Sequence, residues 1–339
     1  MSPVYSKECS IPIAWIEIGR KLPRYLINIS NLTNELHPEF KQYLVHDRMV
    51  SMPKSNVLQV NSIAKSELTK RFEMLSVPED LKDATFWKFT TSRFFILYDL
   101  MSSMNWDRVL HLESDCLLLK SDYLKRLSRN NQQFLAYPHF GDGRGSGAVF
   151  LVNSRNLLKD FLIHIIQSIE VEWKSDMDLL GGFLSNESVF SLPSEFTSSE
   201  IEIFDAGNIT PIYLGQDARN RRVPFSSRGE SASLKLSSTF SNLLDRDNWH
   251  LNFNNSTIEL KLSGEQGPIH ELQSLHIHSK RVPKSYRGLK RILRRGFCGR
   301  RNKAWFYGHL DSVVLVERII SFLRRRILKK TEYRSINFR

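Results

Sequence analysis

Apolar and polar positions along the 339-residue chain change their period repeatedly, and each change marks an element. Ile11 to Ile18 is a short, β-branched apolar run that predicts a first strand. From Leu22 to Leu36 the spacing becomes helical (Leu22, Leu26, Ile29, Leu32, Leu36), and Pro38 ends that helix. Tyr43–Val45 and Val57–Val60 are short strand candidates. Phe86 to Met104 is the strongest helix, long and free of Gly and Pro, with aromatic and aliphatic residues every three or four positions. Val109–Leu112, Phe134–Tyr137 and Gly147–Val152 read as further strands, and Leu157–Ile169 as an amphipathic helix. Strands and helices in alternation predict an α/β layered fold with a largely parallel sheet.

After Asp178 the pattern loosens. Ser226 to Leu244 is rich in serine and reads as a surface loop or a mobile flap. Trp249 to Leu262 alternates like a strand pair turned at Asn254-Asn255, and Leu275–His278 is one more strand candidate. There is no internal repeat. Charge then divides the chain: Lys280 to Arg339 carries 19 Lys/Arg against 3 acids, whereas the other 279 residues carry 29 against 33. The simplest organisation is a body, 1–280, with a basic helical extension, 281–339. Arg287–Arg295 and Val313–Lys330 mix apolar and cationic residues at near-helical spacing. Such segments either lie on an anionic membrane surface or pack their apolar side on the body. A nucleic-acid partner is not expected, because the body lacks a basic patch interleaved with aromatics.

No run of about 18 apolar residues occurs, and the first residues lack the basic-then-apolar pattern of a secretory leader. The three cysteines (Cys9, Cys116, Cys298) are far apart, which argues against a disulfide framework. The expectation is a cytoplasmic protein, peripheral at the membrane if its tail binds lipid.

The segment Arg108-Val-Leu-His-Leu-Glu-Ser-Asp-Cys-Leu-Leu-Leu119 carries the most chemical information. A buried strand runs into Glu113 and Asp115, and carboxylates at i and i+2 of an extended chain point to one side. At the carboxyl end of a strand in an α/β sheet they stand where such sheets bind ligands. Carboxylate oxygens suit Mg²⁺ or Mn²⁺, whose coordination substrate phosphates often complete. Arg93, on the preceding helix, is a planar donor fork for a diphosphate or for those carboxylates. The glycine cluster from Gly141 to Gly147 permits close backbone approach to a ligand. It matches neither a Walker A motif nor a dinucleotide fingerprint. His276 and His278 in an extended segment share a side, a neutral imidazole is a good further Mn²⁺ ligand, and Lys280 follows two residues on.

In order and spacing these segments resemble the GT-A class of nucleotide-sugar glycosyltransferases, over roughly Ile11 to Lys280. Glu113-Ser114-Asp115 stands where that class has its DxD-type motif, with Glu in place of the first Asp. The resemblance implies a Rossmann-type mixed sheet and Mn²⁺ or Mg²⁺ held by Glu113, Asp115, His276 and His278. It implies a nucleotide-sugar donor contacted by Ile16, Arg93, Ser114, Gly145, Ser146, Asn153 and Lys280. The acceptor would be a glycan or a lipid-linked sugar. A base for an inverting reaction would come from Asp176, Asp178 or Asp205, although Asp176 and Asp178 also fit the N-terminus of a helix. The rival from another class is a non-catalytic basic adaptor for membrane or nucleic acid.

Overall fold

A computed structural model of the protein describes residues 11–19, 21–78, 84–129, 132–140, 143–194, 202–206, 249–253, 258–262, 269–277 and 282–291. In chain order its elements are β1 (Ile13–Glu17), α1 (Arg24–Leu36), β2 (Gln42–His46), β3 (Asn56–Gln59), α2 (Glu67–Met74), α3 (Ala84–Ser103), β4 (Val109–Leu112), β5 (Cys116–Leu118), α4 (Asp122–Ser128), β6 (Leu135–Pro138), β7 (Val149–Val152), α5 (Arg155–Val171), α6 (Asp176–Phe183), β8 (Val189–Leu192), β9 (Glu202–Phe204), β10 (Trp249–Phe253), β11 (Ile258–Leu262) and β12 (Ile269–His276).

The main sheet has seven strands in the order β3-β2-β1-β4-β7-β6-β8. β7 alone runs against its neighbours, so β1, β2, β3, β4, β6 and β8 all end at one edge. This is the mixed, largely parallel α/β sheet that the alternation predicts. A second sheet, β10-β11-β12-β5, is antiparallel and takes β9 parallel to β12.

Central strands that carry apolar residues on both faces need cover on both faces. Ile13, Trp15, Leu110, Leu112, Val149 and Leu151 enter one core cluster with Leu26, Ile29 and Leu32 of α1. Ala14, Val109, Phe150 and Val152 enter the other, under α3, α5 and α6. The period of two along each strand divides the clusters. Ile16 falls on the α3 side and packs against the second cluster. Phe150 is fully buried, with ring centroids 5.2 Å from Phe94 and 5.6 Å from Tyr137. Phe150→Ala is expected to lower stability by about 3–5 kcal/mol, read from a urea unfolding midpoint.

Periodicity did not announce α2, α4 or α6, which are only 7 or 8 residues long. Tertiary bonds secure α2: Ser66 caps it, and buried Asp99 of α3 accepts from Ser66 N (3.0 Å) and Thr69 Oγ1 (2.7 Å). Residues 282–291, beyond the expected end of the body, lie along α1. Val282, Tyr286 and Leu289 join the first core cluster, Asn28 Nδ2 donates to Val282 O (2.8 Å), and Lys284, Arg287 and Arg291 stay exposed. The apolar side of this basic segment is therefore occupied by the body. Residues 226–244 and 313–330 and the turn at 254–255 lie outside the described residues. Among the described residues no helix is long and apolar enough to cross a membrane.

Candidate metal centre

β4 ends in a tight turn. Cys116 N donates to Glu113 O (2.9 Å), Glu113 N to Ala148 O (3.1 Å) beside β7, and Ile277 N to Asp115 O (2.7 Å) after β12. The two carboxylates thus converge because the chain turns back into β5, not because it stays extended as the i, i+2 argument assumed. β12 runs antiparallel to β5 with His276 opposite Cys116. His276 Nε2 lies 3.0 Å from Glu113 Oε2 and 3.3 Å from Asp115 Oδ1. One ligand atom from each of Glu113, Asp115 and His276 lies within 4.8 Å of the other two. Asp205, fully buried, fixes the histidine: its Oδ2 accepts from His276 N (3.0 Å), and its own N–H donates to Ser274 Oγ (3.1 Å).

Arg93 reaches this cluster from α3. Its Nη1 donates to Glu113 Oε1, and its Nη2 to Asp176 Oδ2 at 2.5 Å. A largely buried cation between a carboxylate just after β4 and one on α6 offsets charges that water reaches poorly. Burial alone would raise the pKa of Glu113, but Arg93 and His276 hold it well below the usual carboxylate range. Burial pushes the pKa of Asp176 up, with Arg93 opposing and the Glu113 charge adding to the rise. Burial, with help from the Arg93 charge, pushes His111 of β4 down to about 3, so that imidazole is neutral.

Gly147 makes room for the guanidinium. A Cβ there would lie 2.5 Å from Arg93 Nη2 and 3.4 Å from Phe94. Gly147→Ala is expected to displace Arg93 from both carboxylates and to lower the thermal midpoint by several degrees. The same substitution in an Arg93→Met background should cost much less, which a double-mutant cycle measures. Sequence reading named the glycine cluster for backbone approach to a ligand and missed this contact, since nothing in the chain order pairs 147 with 93.

The other expected residues divide. Ser114 sits in the turn with its Oγ 3.4 Å from Tyr25 Oη. Gly145 and Ser146 lie in the loop before β7, where Gly145 N donates to Met177 O (2.9 Å) and Ser146 N to Pro138 O (2.7 Å). A Cβ on Gly145 would lie 2.5 Å from Leu180, so this glycine serves close packing on α6. Asp178 is exposed and shares the cap of α6, its N–H donating to Ser175 Oγ (3.2 Å). Asn153 belongs at the wrong end. β7 is antiparallel to β4 with Val152 opposite Val109, which puts Asn153 at the far end of the pair from Glu113. Its side chain there donates to Gln132 O (2.8 Å). Ile16 is taken up by the core. His278 and Lys280 lie outside the described residues.

The sequence matches no protein-family model and no curated protein. Among solved structures, similarity extends to the galactosyltransferase LgtC in complex with donor and acceptor sugar analogues. Identity is 16% and the TM-score 0.35, over 57% of this chain and 76% of that one. Mouse xyloside xylosyltransferase 1 is 9% identical at a TM-score of 0.37, over 57% of this chain and 88% of that one. PaToxG glycosyltransferase is 11% identical at 0.37, over 52% and 69%. Likeness at this level assigns no activity to this chain.

Proposed function

We propose that this protein is a metal-dependent glycosyltransferase of GT-A type that moves a sugar from a nucleotide-sugar, with UDP as the first nucleotide to try, to a glycan or lipid-linked acceptor. The observation that carries the reading is the convergence of Glu113, Asp115 and His276 at the edge of the sheet where β1, β4 and β6 end. Two carboxylates and an imidazole fit Mn²⁺ better than Mg²⁺, which prefers an all-oxygen shell. Glu113, Asp115 and His276 would hold the ion, with His278 and Lys280 as the expected helpers just beyond β12. When bound, the ion would offset the charge that develops on a departing nucleoside diphosphate.

The protein's own groups prepare that site. Arg93 occupies Oε1 of Glu113 and leaves Oε2 facing His276. Asp205 holds the His276 backbone and is fully buried, so our reading gives it a structural role rather than that of a base for an acceptor hydroxyl. Asp178 is engaged at the cap of α6. Asp176 is then the carboxylate, of the three expected, that stands beside the cluster through Arg93. We read it as the group that takes a proton or a hydrogen bond from a bound sugar. Ser114, Gly145 and Ser146 supply the neighbouring backbone and hydroxyl groups. The basic tail would bring the enzyme to an anionic surface carrying the acceptor.

The test is to incubate the protein with UDP- and GDP-sugars and Mn²⁺ or Mg²⁺, with and without acceptor glycans. Nucleoside diphosphate release that requires an acceptor, with sugar appearing on it, supports transfer. Release of free sugar at the same rate without acceptor indicates a hydrolase. No release with any donor, alongside binding of vesicles or nucleic acid lost on removing the tail, indicates the adaptor.

A further inference from the structure

Helix α6 holds two consecutive glycines, Gly181 and Gly182, within its eight residues. Glycine inside a helix costs stability relative to alanine, so the pair calls for a packing reason. Gly181 has one. A Cβ there would lie 2.2 Å from Gly143 O and 3.0 Å from Arg144 Cα, both backbone atoms of the loop between β6 and β7. Gly145 makes the matching contact from the loop side, against Leu180. Two hydrogen bonds run along the same seam, from Gly145 N to Met177 O (2.9 Å) and from Tyr137 Oη to Leu180 O (2.8 Å). The loop backbone is itself tied down: Gly143 N donates to Phe140 O (3.0 Å), Phe140 N to Arg144 O (2.7 Å) and Ser146 N to Pro138 O (2.7 Å). Gly182 faces elsewhere, and its Cβ would meet only the end of the His164 side chain on α5, at 3.3 Å.

Asp176 opens the same helix, and its Oδ2 accepts from Arg93 Nη2. It stands five residues before Gly181, about 7.5 Å along the axis, so over so short a helix the two move together. Arg93 grips the carboxylate from α3, while the contact with the loop sets how closely α6 approaches. We propose that Gly181 is a positioning residue for Asp176. Its bare Cα lets α6 settle on the backbone of Gly143 and Arg144 at the depth that brings the carboxylate to Arg93 and the metal cluster. The inference rests on the reading of Asp176 as the group that meets a bound sugar, and adds what places it there. Gly181 itself touches neither ion nor sugar and acts through the helix. A Cβ 2.2 Å from a tied carbonyl oxygen must retreat by about 1 Å to reach ordinary contact. A displacement of about 1 Å at a reacting group lowers a rate by about a hundredfold.

The test compares Gly181→Ala with Gly182→Ala in the full chain, since both add one methyl group and the same helix propensity to one helix. Gly181→Ala is expected to lower kcat for sugar transfer by about a hundredfold while Mn²⁺ affinity stays at its wild-type value. Gly182→Ala should keep wild-type turnover. In an Asp176→Asn background Gly181→Ala should lower turnover no further, because the group it displaces is already gone. Thermal midpoints of the same four proteins in that cycle should be non-additive for the same reason. Tyr137→Phe removes the bond to Leu180 O without adding an atom, and serves if Gly181→Ala does not fold. It should give a smaller loss of turnover that also disappears in the Asp176→Asn background. Wild-type turnover in Gly181→Ala, or an equal loss with and without Asp176, would overturn the proposal. So would equal losses in Gly181→Ala and Gly182→Ala, which would make strain within the helix the cause. If wild-type protein transfers no sugar, the reading of Asp176 falls, and the midpoint cycle alone decides the positioning, with additive effects overturning it.

Discussion

Under the proposed function, Asp115→Ala is expected to lower sugar transfer by about a thousandfold and to abolish Mn²⁺ binding measured by electron paramagnetic resonance. Removing one well-placed group that stabilises developing charge typically costs two to three orders of magnitude in rate, roughly 10²–10³-fold. Asp115 supplies one of the three convergent ligand atoms and is almost fully buried. Its loss should leave the fold intact, because His276 keeps its contact with Glu113 at 3.0 Å and its backbone bond to Asp205. A UDP-induced rise in thermal midpoint that depends on Mn²⁺ in wild type should vanish in the variant, since only ligands that bind the folded state raise its stability. Transfer within tenfold of wild type would remove Asp115 from the metal centre.

Arg93→Met is expected to cost about 3–5 kcal/mol of stability, the usual result of removing one partner from a buried ion pair. The guanidinium is 11% exposed and faces Glu113 and Asp176, which are 20% and 10% exposed. Without it, buried Asp176 and partly buried Glu113 lose their cation. Adding Asp176→Asn should recover part of the loss, and the cycle should show coupling of about 1 kcal/mol or more. Mn²⁺ should raise the unfolding midpoint of Arg93→Met more than that of wild type, because the ion restores positive charge where the guanidinium was. Additive effects of the two substitutions would show that Arg93 does not tie α6 to the metal turn.

How much of this was legible depended on the range of the interaction. β4 was read as Val109–Leu112 and found there, because a short apolar stretch, broken only by His111 and bounded by Arg108 and Glu113, is a local signal. The strand pair in Trp249–Leu262 was legible for the same reason. The convergent carboxylates Glu113 and Asp115 were legible from their place after a buried strand. The reason given for their convergence was not correct, since whether the chain extends or turns after residue 113 depends on Ala148 and Ile277, which hold the turn from other strands. Asn153 was misplaced because strand direction is not a local property. A β7 parallel to β4 would have brought it to the site, and the observed antiparallel pairing takes it away. Phe89 was visible in the sequence only as part of the strongest helix, where an aromatic residue reads as core, whereas it is 53% exposed.

The sequence by itself determined the α/β class, the central strand with its two carboxylates, the histidine segment, and the concentration of positive charge after Lys280. These follow from hydrophobic period and residue chemistry, which act over a few positions. Only the tertiary structure decided that His276 meets Glu113 and Asp115, that Arg93 bridges Glu113 to Asp176 across the bare Cα of Gly147, and that Phe89 stays open beside Gly19. Those contacts join residues up to 163 positions apart. Strand order and packing bring them together, and both are set by covering the two faces of one sheet rather than by any local pattern.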